Sequence, residues 1–216
     1  MNYEIINLDT YYRKDVFKHF SQDCKCSLSL TSRIDVTELK ECSDKTKTKF
    51  YLNFLYLLCK VLNSRRDYRM AYLWKEEKLI CFDQINPTHY LFHEDTETCS
   101  PIYSTYNEDY QTFYQMALED MEKGKMINEY SLDAENHPNW FDASYISWLS
   151  YDSLNLELPD GYLYFQPIIN WGRYRQENDR LMMPVTVRMN HAIADGYLVS
   201  QVFILLEKEI KAFCQN

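Results

Sequence analysis

The chain has 216 residues, 46% hydrophobic and 16% aromatic, a composition that builds one packed core and excludes a disordered chain. Lys and Arg number 23 against 32 Asp and Glu, a formal net charge of -9 with no basic cluster, so a nucleic-acid backbone or an anionic lipid surface would be repelled. The longest apolar run, Phe50 to Leu62, is broken by Asn53 and Lys60 and is too short to span a bilayer.

The elements can be read in chain order. Val16, Phe17 and Phe20 repeat at three- and four-residue steps and predict a helix over Arg13–Phe20. Ser27–Asp35 alternates around Leu28 and Leu30, which predicts a strand. Lys49–Asn63 is apolar nearly all round and predicts a helix buried against a sheet. Ala71–Asp83 and His89–Phe92 read as strands, Tyr110–Glu122 as an amphipathic helix, and Ile146–Leu158 and Leu163–Trp171 as strands. In Arg180–Met189 the residues Leu181, Met183, Val185, Val187 and Met189 alternate with more polar neighbours, so a strand with one apolar face arrives at Asn190. Leu198, Val202, Leu205, Leu206, Ile210 and Phe213 then recur at helical spacing. Strands and helices are thus mixed, and no linker, low-complexity tract or repeat divides the chain, which reads as a single domain over residues 1–216.

Cysteine usage bears on compartment and metals. Seven cysteines, an odd number, and a start Met1-Asn-Tyr-Glu-Ile-Ile-Asn without a basic stretch leading into an apolar one predict free thiols in a cytoplasmic protein. Cys24 and Cys26 have the spacing that opens a metal site, but no second Cys/His pair follows at zinc-finger spacing, so no metal is expected. His19, His89, His93 and His137 sit in no spacing that assembles a metal site or a triad and read as surface or core histidines. The 19 tyrosines are spread over the whole chain and read as packing residues with an exposed hydroxyl.

The segment with chemistry in it is Asn190-His-Ala-Ile-Ala-Asp-Gly196, at the junction between the last strand and the last helix. His191 lies four residues before Asp195, so an imidazole and a carboxylate share one short turn, and Gly196 can supply a backbone conformation closed to other residues. A His-x-x-x-Asp-Gly segment is expected by chance only about 0.007 times at this composition, which makes the match moderately specific. The plainer alternative is that His191 ends a strand and Asp195 caps the final helix.

Several further segments lie collinear with that motif. They include Arg13-Lys-Asp-Val-Phe, Ser29-Leu-Thr-Ser-Arg-Ile-Asp, Lys49-Phe-Tyr and Phe92-His-Glu-Asp-Thr-Glu-Thr98, then Trp148, Tyr151-Asp-Ser-Leu-Asn-Leu156, Pro167-Ile-Ile and Asp179-Arg-Leu-Met-Met-Pro184. With these the sequence resembles, along its whole length, the chloramphenicol acetyltransferases. This trimeric family is related in fold to the acyltransferase cores of 2-oxo-acid dehydrogenase complexes and carries a His-x-x-x-Asp-Gly signature near the C-terminus.

The resemblance implies an α/β two-layer sandwich, a mixed β-sheet with helices packed on one face. It also implies a homotrimer that uses acetyl-CoA as co-substrate, with a tunnel at the subunit interface. His191 would be the general base that takes the proton from a hydroxyl of chloramphenicol as it attacks the thioester carbon, an antibiotic-inactivating reaction needing no acyl-enzyme. Ser144 would donate to the tetrahedral intermediate. Arg13 and Asp195 would form a bridge that fixes the active-site loop. Phe20, Leu28 and Asn170 would bind the acceptor, with Phe20 and Leu28 reaching His191 from the neighbouring subunit. The sequence departs from the family pattern at Asn190, where a first histidine is common, at Asn170, where a threonine is common, and at Phe20, where a tyrosine is common. His19 and Leu28 also stand where pocket aromatics are usual. Three other readings follow: the same chemistry on a different hydroxyl acceptor, a lipoyl-dependent acyltransferase core, or a non-catalytic trimeric relative. The chain shows no lipoyl domain or Ala/Pro-rich linker, which counts against the second. Retention of His191, Asp195, Arg13 and Ser144 together counts against the third.

Overall fold

A computed structural model describes residues 2–127, 129–157 and 164–215. The first elements are an exposed strand, β1 (Tyr3–Ile5), and a short helix, α1 (Lys14–Lys18), which continues as a π turn over His19–Asp23 closed by the Cys24 amide on the His19 carbonyl at 2.9 Å. The expected helix therefore exists, but its last two residues, His19 and Phe20, begin a π turn, a form often found where function reshapes a helix. β2 (Ser27–Asp35) runs into α2 (Thr37–Thr46), and Asp35 accepts from the Thr37 amide at 3.0 Å, satisfying an otherwise orphaned donor. α3 (Phe50–Asn63) is buried on nearly every side, as its composition requires.

A hairpin follows, β3 (Met70–Leu73) and β4 (Lys78–Phe82), then β5 (Asn86–His93) and β6 (Thr98–Tyr103). α4 (Tyr110–Gly124) starts where Asp109 accepts from the Thr112 amide at 2.8 Å. The rest of the chain is β7 (Trp140–Ile146), β8 (Ile168–Gly172), β9 (Arg175–Glu177), β10 (Arg180–Asn190) and α5 (Gly196–Gln215).

The main sheet has the order β2-β10-β8-β7-β5-β6, with β9 also paired to β10, while β1, β4 and β3 form a small antiparallel sheet. β7 pairs in parallel with both β5 and β8, and the other pairs are antiparallel, so the sheet is mixed. Alternation decides what each face carries. Met183, Val185, Val187 and Met189 of β10 join Ile169 and Trp171 of β8 and Phe141 and Ala143 of β7 in one core with α3 and α5. Burying each large apolar side chain contributes roughly 1.5–3 kcal/mol, so this face holds the layers together. On the other face Ser144, Asn170, Thr186 and Thr31 lie in one register row across β7, β8, β10 and β2. The Thr31 and Thr186 hydroxyls are 2.8 Å apart, and the Tyr151 hydroxyl donates to the Asn170 carbonyl at 2.9 Å. The architecture is the expected two-layer α/β sandwich with helices on one face.

Three expected strands are corrected. Ala71–Asp83 is not one strand but the β3–β4 hairpin, whose turn places Glu77 at φ 51°. The strand expected at Ile146–Leu158 lies earlier, as β7, and residues 147–157 are turn and irregular chain, because Trp148, Leu149 and Leu156 face outward and have no ladder to join. The strand expected from Leu163 is confined to β8; Leu158 and Leu163 lie outside the described residues. The exposed tyrosine hydroxyls are corrected in part, since those of Tyr68 and Tyr56 donate to the Leu198 and Glu108 carbonyls, each at 2.7 Å. No helix among the described residues is long and apolar enough to cross a membrane. All seven cysteines are free thiols.

Candidate active site

β10 ends at Asn190, and the chain must then reverse into α5. The Asn190 side chain is buried and accepts from the Ala192 amide at 2.9 Å, while its carbonyl accepts from the Ile193 and Ala194 amides at 3.1 and 3.0 Å. Asn190 thus builds the turn that presents His191. The His191 amide is tied to the Cys26 carbonyl at 3.0 Å, which fixes this turn to the segment before β2.

The half-buried His191 ring lies flat on Phe20, with centroids 3.8 Å apart and planes 11° from parallel. The π turn that follows α1 carries Phe20 to this position. Phe20 therefore meets His191 within its own chain, which corrects the expectation that it arrives from a neighbouring subunit. Leu28 is also on the motif's own chain, since a Cβ at Gly196 would meet its Cδ2 at 4.0 Å. That distance is ordinary contact and the φ of Gly196 lies outside the left-handed range, so the special backbone conformation that a glycine could supply there is not used. His191 Nδ1 is enclosed and has no hydrogen-bond partner among the described residues.

Asp195 performs both tasks that the sequence allowed. One carboxylate oxygen accepts from the Leu198 amide at 3.1 Å and caps α5, and the other pairs with Arg13 Nη1 at 3.0 Å. Desolvation pushes its pKa up, but the Leu198 amide and the Arg13 guanidinium outweigh it and hold the carboxyl below the usual 3.8. Arg13 is held because Phe17, one turn on, is buried against Tyr72 and Phe165.

Ser144 and Asn170 are neighbours on β7 and β8, but the structure does not bring either of them to His191 of the same chain. Thr186 is in register with Asn170, and His191 lies five residues further along, roughly 17 Å by strand rise, while Ser144 is two strand spacings, roughly 10 Å, to the side. The sequence-predicted site thus divides into two groups. His191, Phe20, Leu28, Asp195 and Arg13 form one, and Ser144 and Asn170 the other.

Ser144 opens into a cavity of about 390 Å³ lined mainly by Tyr51, Tyr90, Phe92, Tyr145 and Trp148. Its aromatic walls suit a flat, largely apolar ligand with few polar groups. The roles of Tyr51 and Tyr90 had no local signal, because the residues around the cavity come from separate elements, α3, β5, β6, α4 and β7 with the turn after it. No cluster of three or more metal-ligating side chains occurs among the described residues.

The pattern of one protein family, described as chloramphenicol acetyltransferase, matches residues 1–207. Chloramphenicol acetyltransferase 3 of Escherichia coli is 33% identical over 208 residues, covering 96% of this chain and 97% of its own length. The chloramphenicol acetyltransferase of Clostridium butyricum is 30% identical over 201 residues, covering 93% and 91%. Among solved structures, a chloramphenicol acetyltransferase superposes with a TM-score of 0.87 at 20% identity, over 97% of this chain and 100% of that one. A dihydrolipoamide acetyltransferase of Azotobacter vinelandii shares the fold at a TM-score of 0.65 and 14% identity, over 87% and 82%. The turn that holds His191 and its Arg13–Asp195 tie thus sit in a sequence matched along almost its full length, and the chain belongs to the chloramphenicol acetyltransferase family.

Proposed function

We propose that the protein acetylates a hydroxyl of chloramphenicol by direct transfer from acetyl-CoA. The observation that carries this reading is His191, an imidazole stacked on Phe20 in a turn pinned by Asp195 and Arg13. Its Nδ1 is enclosed, so Nε2 is the nitrogen that meets the hydroxyl. Nε2 takes the hydroxyl proton as the oxygen attacks the thioester carbon, the Ser144 hydroxyl stabilises the oxyanion, and the carbon–sulfur bond breaks with the proton passing to the departing thiolate. Both substrates are held in line, so proximity supplies much of the rate.

His191 and Ser144 are too far apart in one chain to act on the same atom, which supports a site shared between copies; with the resemblance to a trimeric family, the reading is a homotrimer in which each site takes His191 from one copy and Ser144 from the next. The cavity beside Ser144 holds the aromatic acceptor. The chain acts as one acetyltransferase domain in the cytoplasm. A different hydroxyl acceptor is the second reading, favoured by Phe20, which has no hydroxyl to offer a ligand, and by Asn170 in the Ser144 row.

A thiol-release assay with acetyl-CoA and chloramphenicol tests the reading. Wild type turns over, and His191→Ala loses about 100- to 10,000-fold in kcat, the range of general-base catalysis. Equal rates for the two proteins contradict the mechanism, and release only with another alcohol selects the second reading.

A further inference from the structure

His89 has no part in the mechanism above, yet it is fully buried and both of its ring nitrogens are engaged. Nδ1 lies 2.9 Å from the Tyr51 hydroxyl and Nε2 lies 3.0 Å from the Ser104 hydroxyl. Ser104 in turn donates to the Asp120 carboxylate at 2.8 Å. These contacts fix a direction. A serine hydroxyl has one hydrogen, and here it goes to Asp120, so Ser104 can only accept from His89 and Nε2 must carry the proton. Nδ1 of the neutral ring is then an acceptor, and the Tyr51 hydroxyl hydrogen is committed to it. Burial holds the His89 pKa down to about 3, consistent with a neutral ring, and pushes the Tyr51 phenol up, so both groups stay neutral.

Tyr51 is the end of this chain that meets the cavity beside Ser144. Its ring packs on Trp171 at 5.7 Å and Tyr145 at 6.0 Å, and Tyr145 is the residue after Ser144. We propose that His89 is a positioning residue: Asp120 and Ser104 fix its tautomer, and the Nδ1 of that tautomer anchors the Tyr51 hydroxyl and so sets the aromatic wall against which the acceptor packs. The chain acts on acceptor binding rather than on proton transfer, since what it presents to the cavity is the Tyr51 ring, whose hydroxyl hydrogen is committed to His89. The inference rests on the proposed function for the acceptor's place in this cavity and for its kinetic readout.

Two substitutions separate the halves of the chain. An asparagine amide reaches the place of Nδ1 and a glutamine amide the place of Nε2. His89→Asn keeps an acceptor for Tyr51 and loses Ser104; His89→Gln keeps a donor to Ser104 and leaves the Tyr51 hydroxyl unpaired. Each variant strands one buried group, so a merely structural role moves both alike. The expected result is a chloramphenicol KM raised about 3- to 10-fold in His89→Gln and within about twofold of wild type in His89→Asn, the size of one neutral hydrogen bond. The acetyl-CoA KM stays unchanged in both. Equal rises in the two variants, or an effect confined to kcat, would overturn the proposal. Nitrogen-15 NMR of wild type gives a readout free of turnover: a protonated Nε2 and an unprotonated Nδ1 on His89 are expected, and the opposite tautomer overturns the chain. Wild type that is inactive on chloramphenicol would sink the acceptor assignment, while the His89 tautomer would still decide the direction of the chain.

Discussion

Arg13 and Asp195 come from opposite ends of the sequence, and their contact at 3.0 Å sets the loop that carries His191. Arg13 is 11% exposed but Asp195 is 38% exposed, so water screens the pair and Arg13→Ala is expected to cost about 1 kcal/mol in chemical denaturation. The larger consequence is geometric, and kcat falls with the loop's order while the helix cap from Leu198 remains. Asp195 also gives a pH signature. Its carboxyl ionises below the usual 3.8 in the folded state, so its stabilising contribution is complete above that value and is lost as pH falls through the lower folded value. The stability gap between wild type and Asp195→Asn should therefore narrow below about pH 4 and stay constant above about pH 5. A gap that is flat through the acid range would contradict the assignment. At Phe20, removing the stacked ring by Phe20→Leu should lower kcat by about 2- to 10-fold, in line with the worth of one aromatic contact, with little change in melting temperature. Unchanged kcat would mean that the stack does not orient the base.

At the scale of elements, two glycines that look alike in sequence have different roles. A Cβ at Gly172, the last residue of β8, would meet the Leu149 carbonyl at 2.9 Å, Pro184 Cγ at 3.0 Å and Tyr151 Cδ1 at 3.0 Å. Gly172→Ala should therefore destabilise by about 1–3 kcal/mol, as overpacking does. Gly196→Ala, at the start of α5, meets only Leu28 at 4.0 Å and should stay within about 1 kcal/mol of wild type. Denaturant titration of the pair checks both, and the reverse order would refute the packing argument. The sequence showed α3, β10 and α5 because apolar residues dominate the buried face of each. It hid the β3–β4 turn, because Trp74-Lys-Glu-Glu77 has no glycine or asparagine and Glu77 itself takes the left-handed conformation. Residues 147–157 imitated a strand because their apolar side chains point out of the fold. The Arg13–Asp195 bridge came only from resemblance, and the His89 chain joins positions 51, 89, 104 and 120, which no local spacing connects.

At the scale of the molecule, the site is divided within one chain. His191 stands at one end of β10 with Phe20, Leu28 and Asp195, while Ser144 and its aromatic cavity lie roughly 20 Å away across the sheet. Phe20 is already placed by its own chain, so in the shared site we propose, a second copy would bring Ser144 with its cavity to the base. Acetyl transfer should accordingly be lost when dilution separates the copies. The most direct measurement is complementation between two inactive variants, His191→Ala and Ser144→Ala, co-expressed in equal amounts and assayed for acetyl transfer to chloramphenicol. In a cyclic trimer every mixed assembly has one junction where an intact His191 faces an intact Ser144, so activity should return to about a quarter of wild type. Activity no greater than that of the two variants assayed separately would contradict a site shared between copies.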